Sequence, residues 1–90
     1  MSIVRRYFDS VRDEDSNSRD IADAINNALN RAGFSTRVNF ISGIFMTTWG
    51  PGEKNRKRSK IESLIDKTVN DGWDMRISWD DDDIFEVVSG

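Results

Sequence analysis

The chain says one thing twice. Residues 21–50 run IADAINNALNRAGFSTRVNFISGIFMTTWG, and residues 61–90 run IESLIDKTVNDGWDMRISWDDDDIFEVVSG. Each copy leads an amphipathic stretch into Gly plus an aromatic (Gly33-Phe34, Gly72-Trp73), then into Arg-aliphatic (Arg37-Val38, Arg76-Ile77). An aromatic follows two positions on (Phe40, Trp79), then a short turn and Ile-Phe (Ile44-Phe45, Ile84-Phe85). A repeat constrains a fold more than local propensity does, because one order of elements must serve both halves. The expectation is a single domain over residues 1–90, with repeat halves at 18–50 and 57–90 and an N-terminal element at 2–8.

Within each copy the apolar period changes once. Ile21, Ala24, Ile25, Ala28, Leu29 and Ala32 fall at helical spacing, as do Ile61, Leu64, Ile65, Thr68 and Val69. Ser16, Asn17 or Ser18 suits the start of the first helix, a Ser59/Glu62 capping box suits the second, and Gly33 and Gly72 suit the ends. After each Gly the period becomes two. Phe34, Thr36, Val38 and Phe40 share one face of a strand, as do Trp73, Met75, Ile77 and Trp79. A two-residue turn at Ser42-Gly43 pairs Phe40 with Phe45, Val38 with Thr47 and Thr36 with Trp49. A three-residue turn at Asp81–Asp83 pairs Trp79 with Phe85 and Ile77 with Val87. The register one residue away would bury Glu86, which is costly.

Ile3-Val4-Arg5-Arg6-Tyr7-Phe8 reads as one more strand. The expected fold is then α+β in the order β-α-β-β-α-β-β, the ferredoxin-like split βαβ arrangement, with an antiparallel sheet and two helices on one face. One conflict is visible in advance: that first strand is central in the arrangement, yet either of its faces carries an arginine, Arg5 or Arg6.

Composition narrows the chemistry. The chain has no Cys and no His, which removes disulfides, thiolate metal sites, the commonest general base and the usual nitrogen ligand of zinc. No Gly-rich phosphate loop follows a strand, and the carboxylates fall in turns or on polar helix faces. Neither an enzyme nor a cofactor or metal site is expected. The opening MSIVRRYFDS has no apolar run of signal length, and a cytoplasmic protein is expected, in the host cytoplasm if phage-encoded.

Three groups of residues invite a binding role. Lys54, Arg56, Lys57, Arg58 and Lys60 cluster before and within the start of the second helix, where positive charge opposes the helix dipole. A solvated loop is the plain explanation; phosphate contact is the functional one, with Arg37 and Arg76 as supporting anion anchors. Asp80, Asp81, Asp82 and Asp83 lack the alternation and central Gly of a calcium loop. They suit a charged hairpin tip or an acidic finger that enters a basic cleft. Ile41, Ile44, Met46, Ile84 and Val88 fall on the outer sheet face, as scattered aliphatics or as a contact surface. The leading expectation is a small non-catalytic module that binds another protein, as a homodimer or a regulator or inhibitor such as phages and mobile elements carry. The alternative is a nucleic-acid-binding accessory protein using the basic 54–60 segment. A small-ligand sensor comes third, with no residue pointing to a ligand.

Overall fold

A computed structural model describes the backbone from Ile3 to Ser89 and the side chains from Asn17 onward. The element order is α1 (Ile3–Arg31), β1 (Arg37–Ile41), β2 (Ile44–Thr48), α2 (Glu53–Arg56), α3 (Arg58–Trp73), β3 (Met75–Trp79) and β4 (Ile84–Ser89). The strands form one four-stranded sheet in the order β1-β2-β4-β3, with every neighbouring pair antiparallel.

The repeat is visible in the packing. Ile21, Ile25 and Leu29 of α1 are buried, and so are Ile61, Ile65 and Val69 of α3, each forty positions later. They meet Val38, Phe45 and Phe85 of the sheet in one core. At about 1.5–3 kcal/mol for each fully buried large aliphatic or aromatic side chain, these residues supply the main drive to fold. At the centre of the sheet Phe45 lies opposite Phe85, the two rings stacked 5.1 Å apart. A twofold axis normal to the sheet between those rings exchanges β2 with β4 and β1 with β3. The row continues on both sides, with Phe40 4.9 Å from Phe45 and Trp79 5.0 Å from Phe85.

Both hairpin registers are as the alternation predicts. Phe40 pairs with Phe45 and Val38 with Thr47; Trp79 pairs with Phe85 and Ile77 with Val87. Ser42 and Gly43 both have positive φ (52° and 84°), as a two-residue turn of the hairpin-favouring hand requires. Gly33 (φ 87°) closes α1 while the Phe34 amide donates to the Leu29 carbonyl at 2.9 Å, so Phe34 is turned back towards the core.

Several expectations are corrected. Segment 2–8 is not a strand over its described residues: Ile3 to Phe8 are helical and continuous with α1. No Gly or Pro occurs before Gly33, so nothing in the sequence breaks the helix, and the arginine conflict of a central strand disappears. The ferredoxin-like order is therefore replaced by two consecutive αββ units, and β2 pairs directly with β4 at the centre. Ser16, Asn17 and Ser18 lie inside α1 rather than capping it. The Ser59/Glu62 capping box does not form either, since α3 starts at Arg58 and Lys57 occupies the cap position without a side-chain bond. The second helix also passes Gly72 and includes Trp73. Its left-handed residue is Asp74 (φ 56°, ψ 42°), whose amide donates to the Asn70 carbonyl at 2.9 Å. Finally, Thr36 and Trp49 fall just outside the β1–β2 ladder.

Candidate functional site

The two charged runs singled out in the sequence meet each other. Lys54 Nζ lies 3.0 Å from Asp83 Oδ1, and the same oxygen accepts a 2.8 Å hydrogen bond from the Trp49 indole. Lys54 first, then Trp49, holds the Asp83 carboxyl below its ordinary range. Arg58 stands over both tryptophans, 5.4 Å from the ring centre of Trp49 and 5.5 Å from that of Trp79. The rings are themselves stacked at 6.0 Å. The guanidinium donates to Glu62 at 2.7 Å and reaches Asp82 at 3.5 Å. Glu62 is the main reason that Arg58 holds its proton even more firmly than an ordinary arginine. This explains a cation at a helix start that the dipole disfavours: Arg58 covers an aromatic surface while its charge is met by carboxylates.

The acidic tip is internally organised too. Asp81 Oδ1 accepts from the amides of Asp83 (2.8 Å) and Ile84 (3.0 Å), an Asx turn that shapes the hairpin. Lys54, Arg58, Asp81, Asp82 and Asp83 are thus engaged within the chain. Arg56, Lys57, Lys60 and Asp80 are exposed. Arg56 and Lys57 line a cavity of about 410 Å³ with Phe34, Pro51 and Glu53.

Glu53, which the sequence reading did not single out, is the busiest carboxylate of that region. It accepts from the Ser35 amide (2.8 Å), the Thr36 amide (2.8 Å) and the Thr36 hydroxyl (2.6 Å). The Ser35 amide is the leading cause, followed by the Thr36 hydroxyl, of a Glu53 pKa below its ordinary 4.5. Gly50 makes the approach possible. Its amide donates to the Thr36 hydroxyl at 3.0 Å, and a Cβ there would stand 2.6 Å from Glu53 Oε1 and 2.7 Å from Ser35 Cβ.

The two matched arginines separate in role. Arg37 is spent locally, donating to the carbonyls of Phe34 (2.8 Å) and Thr36 (2.7 Å) and to Asn30 Oδ1 (3.1 Å). Arg76 is exposed on β3 opposite Val88, with Glu86 opposite Ser78.

Among the described residues no helix packs on the outer sheet face; the core-forming parts of α1 and α3 pack on the other side. Register makes four of its aliphatic residues contiguous: Ile41 is opposite Ile44, Met46 is two positions along the same strand, and Met46 is opposite Ile84. Ile41 is 51% exposed and Met46 38%. Val88, also 38% exposed, is separated from Ile84 by Glu86 and sits beside Arg76. Among the described residues no group of three or more acidic side chains is placed to hold a metal ion. No described helix is long and apolar enough to cross a membrane. Compared with known proteins, the chain matches no family model, no curated sequence and no solved structure.

Proposed function

We propose that this protein is a non-catalytic binding module that works by protein–protein contact through the outer face of its sheet. The contiguous Ile41, Ile44, Met46 and Ile84 surface carries this reading. An apolar set that bridges three strands, exposed at Ile41 and Met46 and half-buried at Ile44 and Ile84, has no role in the chain's own core, and such patches mark contact sites. A regulator or inhibitor that occupies a partner's surface, or a homodimer built face to face, uses a surface of this kind. Sedimentation velocity and affinity capture from the native host test it, run on the wild type and on Met46→Asp. Self-association or a captured partner that is lost in Met46→Asp, with the melting temperature kept, is the expected result. A wild type that neither self-associates nor retains any protein would sink the reading.

The alternative, nucleic-acid binding, draws its support from the exposed Arg56, Lys57 and Lys60 at the open side of the basic segment. It loses Lys54, Arg58 and Arg37, which are engaged internally. Three phosphate contacts would give a log–log salt slope near about −3 on duplex DNA.

A further inference from the structure

The two halves of the molecule differ at one matched position, and the difference leaves a groove. With Ile21 equivalent to Ile61, the residue that corresponds to Arg58 is Ser18. In the second half Arg58 lies across Trp79, with Trp49 beside it and the carboxylates of Glu62 and Asp82 around its guanidinium. In the first half the ring equivalent to Trp79 is Phe40, the end of the aromatic row, and Ser18 is too short to cover it. What remains is a cavity of about 330 Å³ lined by Ser18, Ile21, Phe40, Gly43, Met75 and Val87. Phe40, Met75 and Val87 are only half-buried, so the floor is open to an incoming side chain.

The stretch of α1 that leads into the groove is acidic in sequence: residues 12–20 carry Asp13, Glu14, Asp15 and Asp20 against Arg12 and Arg19.

We propose that this groove takes an arginine side chain from a basic segment of a protein partner. The guanidinium would lie on Phe40 as the chain's own Arg58 lies on Trp79, with its aliphatic stem against Ile21, Met75 and Val87. Arginine suits the place better than lysine, because a planar, weakly hydrated cation stacks on a ring and an ammonium keeps its water. The acidic stretch of α1 adds attraction that depends on salt. This contact lies on the helix side of the sheet and does not depend on the outer-face surface.

The test uses the full chain and Gly-Ser octapeptides with a central Arg-Arg, Lys-Lys or Leu-Leu pair, followed by the methyl resonances of Ile21, Met75 and Val87. The Arg peptide is expected to shift them saturably, about fivefold or more tighter than the Lys peptide, and more weakly as salt is raised. Ser18→Arg, which gives the first half the arrangement of the second, is expected to close the groove and abolish these shifts while keeping the melting temperature. Phe40→Leu, which keeps apolar volume but removes the ring, is expected to erase the preference for Arg over Lys. Equal binding of the Arg and Leu peptides, no shift at millimolar peptide, or unchanged Arg-peptide binding in a folded Ser18→Arg or Phe40→Leu chain would each overturn the proposal.

Discussion

Single residues decide how the two halves are joined. The Glu53 carboxylate satisfies the Ser35 and Thr36 amides, which lie before the β1 ladder. Glu53→Gln keeps the shape but turns an acceptor-only group into one that presents an NH₂. The expected loss is about 1–3 kcal/mol of unfolding free energy, read from urea titration. The same residue gives the fold a pH dependence. Its folded pKa lies below the ordinary 4.5, so the stability it supplies is complete above that value and disappears as pH falls through the folded pKa. The difference between wild-type and Glu53→Gln stability should therefore be constant at neutral pH and shrink below about pH 4.5. Asp83 acts in the same direction, its carboxyl held down by Lys54 and Trp49. Thr47 offers the opposite case. It is 4% exposed, its hydroxyl has no hydrogen-bond partner, and its counterpart in the second half is Val87. Thr47→Val should raise stability by about 1 kcal/mol, visible as a higher denaturation midpoint.

At the scale of elements, each helix is bonded to the backbone of the edge strand beneath it through a matched side chain. Asn26 on α1 accepts from the Val38 amide (2.7 Å) and donates to the Val38 carbonyl (2.8 Å). Forty positions later Asp66 on α3 accepts from the Ile77 amide at 3.2 Å. Asn26→Asp would keep the first bond and leave the Val38 carbonyl without its donor. A loss of about 1–2 kcal/mol is expected, with faster hydrogen exchange along β1 measured by NMR. The hairpin of β3 and β4 is fastened differently, through its acidic tip and the Arg58 stack. Arg58→Lys preserves charge and removes the planar contact, so a cost near 1 kcal/mol and a red-shifted tryptophan emission are the expected signs.

For the molecule as a whole, the stacked pair Phe45 and Phe85 sits where the two halves meet. Phe85 is fully buried, and a small domain of this size has little stability in reserve. Phe85→Ala should cost about 3–5 kcal/mol and abolish a single cooperative unfolding transition at ambient temperature, checked by circular dichroism against urea. The long axis of 52 Å comes from α1, whose twenty-nine residues span about 43 Å at the usual rise. The charged runs are likewise a property of the whole: a basic segment in one connection meets an acidic tip from the far hairpin, twenty-nine residues apart in Lys54 and Asp83.

The tandem order, both hairpin registers and the inward Phe45 and Phe85 were legible in the chain, because alternation with period two and a repeat of forty leave one register that keeps charge out of the core. The helical state of Ile3–Phe8 was open to a wrong reading, since a short apolar run with paired arginines fits either period and only continuity with α1 resolves it. The outer-face aliphatics could be assigned to their face, but their contiguity depends on β2 lying beside β4. The partners of Lys54, Glu53 and Asn26, and the contacts of Arg58 with Trp49, Trp79 and Asp82, depended on tertiary structure alone. Each is a contact between segments distant in sequence, and a side chain's local spacing carries no information about what the fold will bring against it.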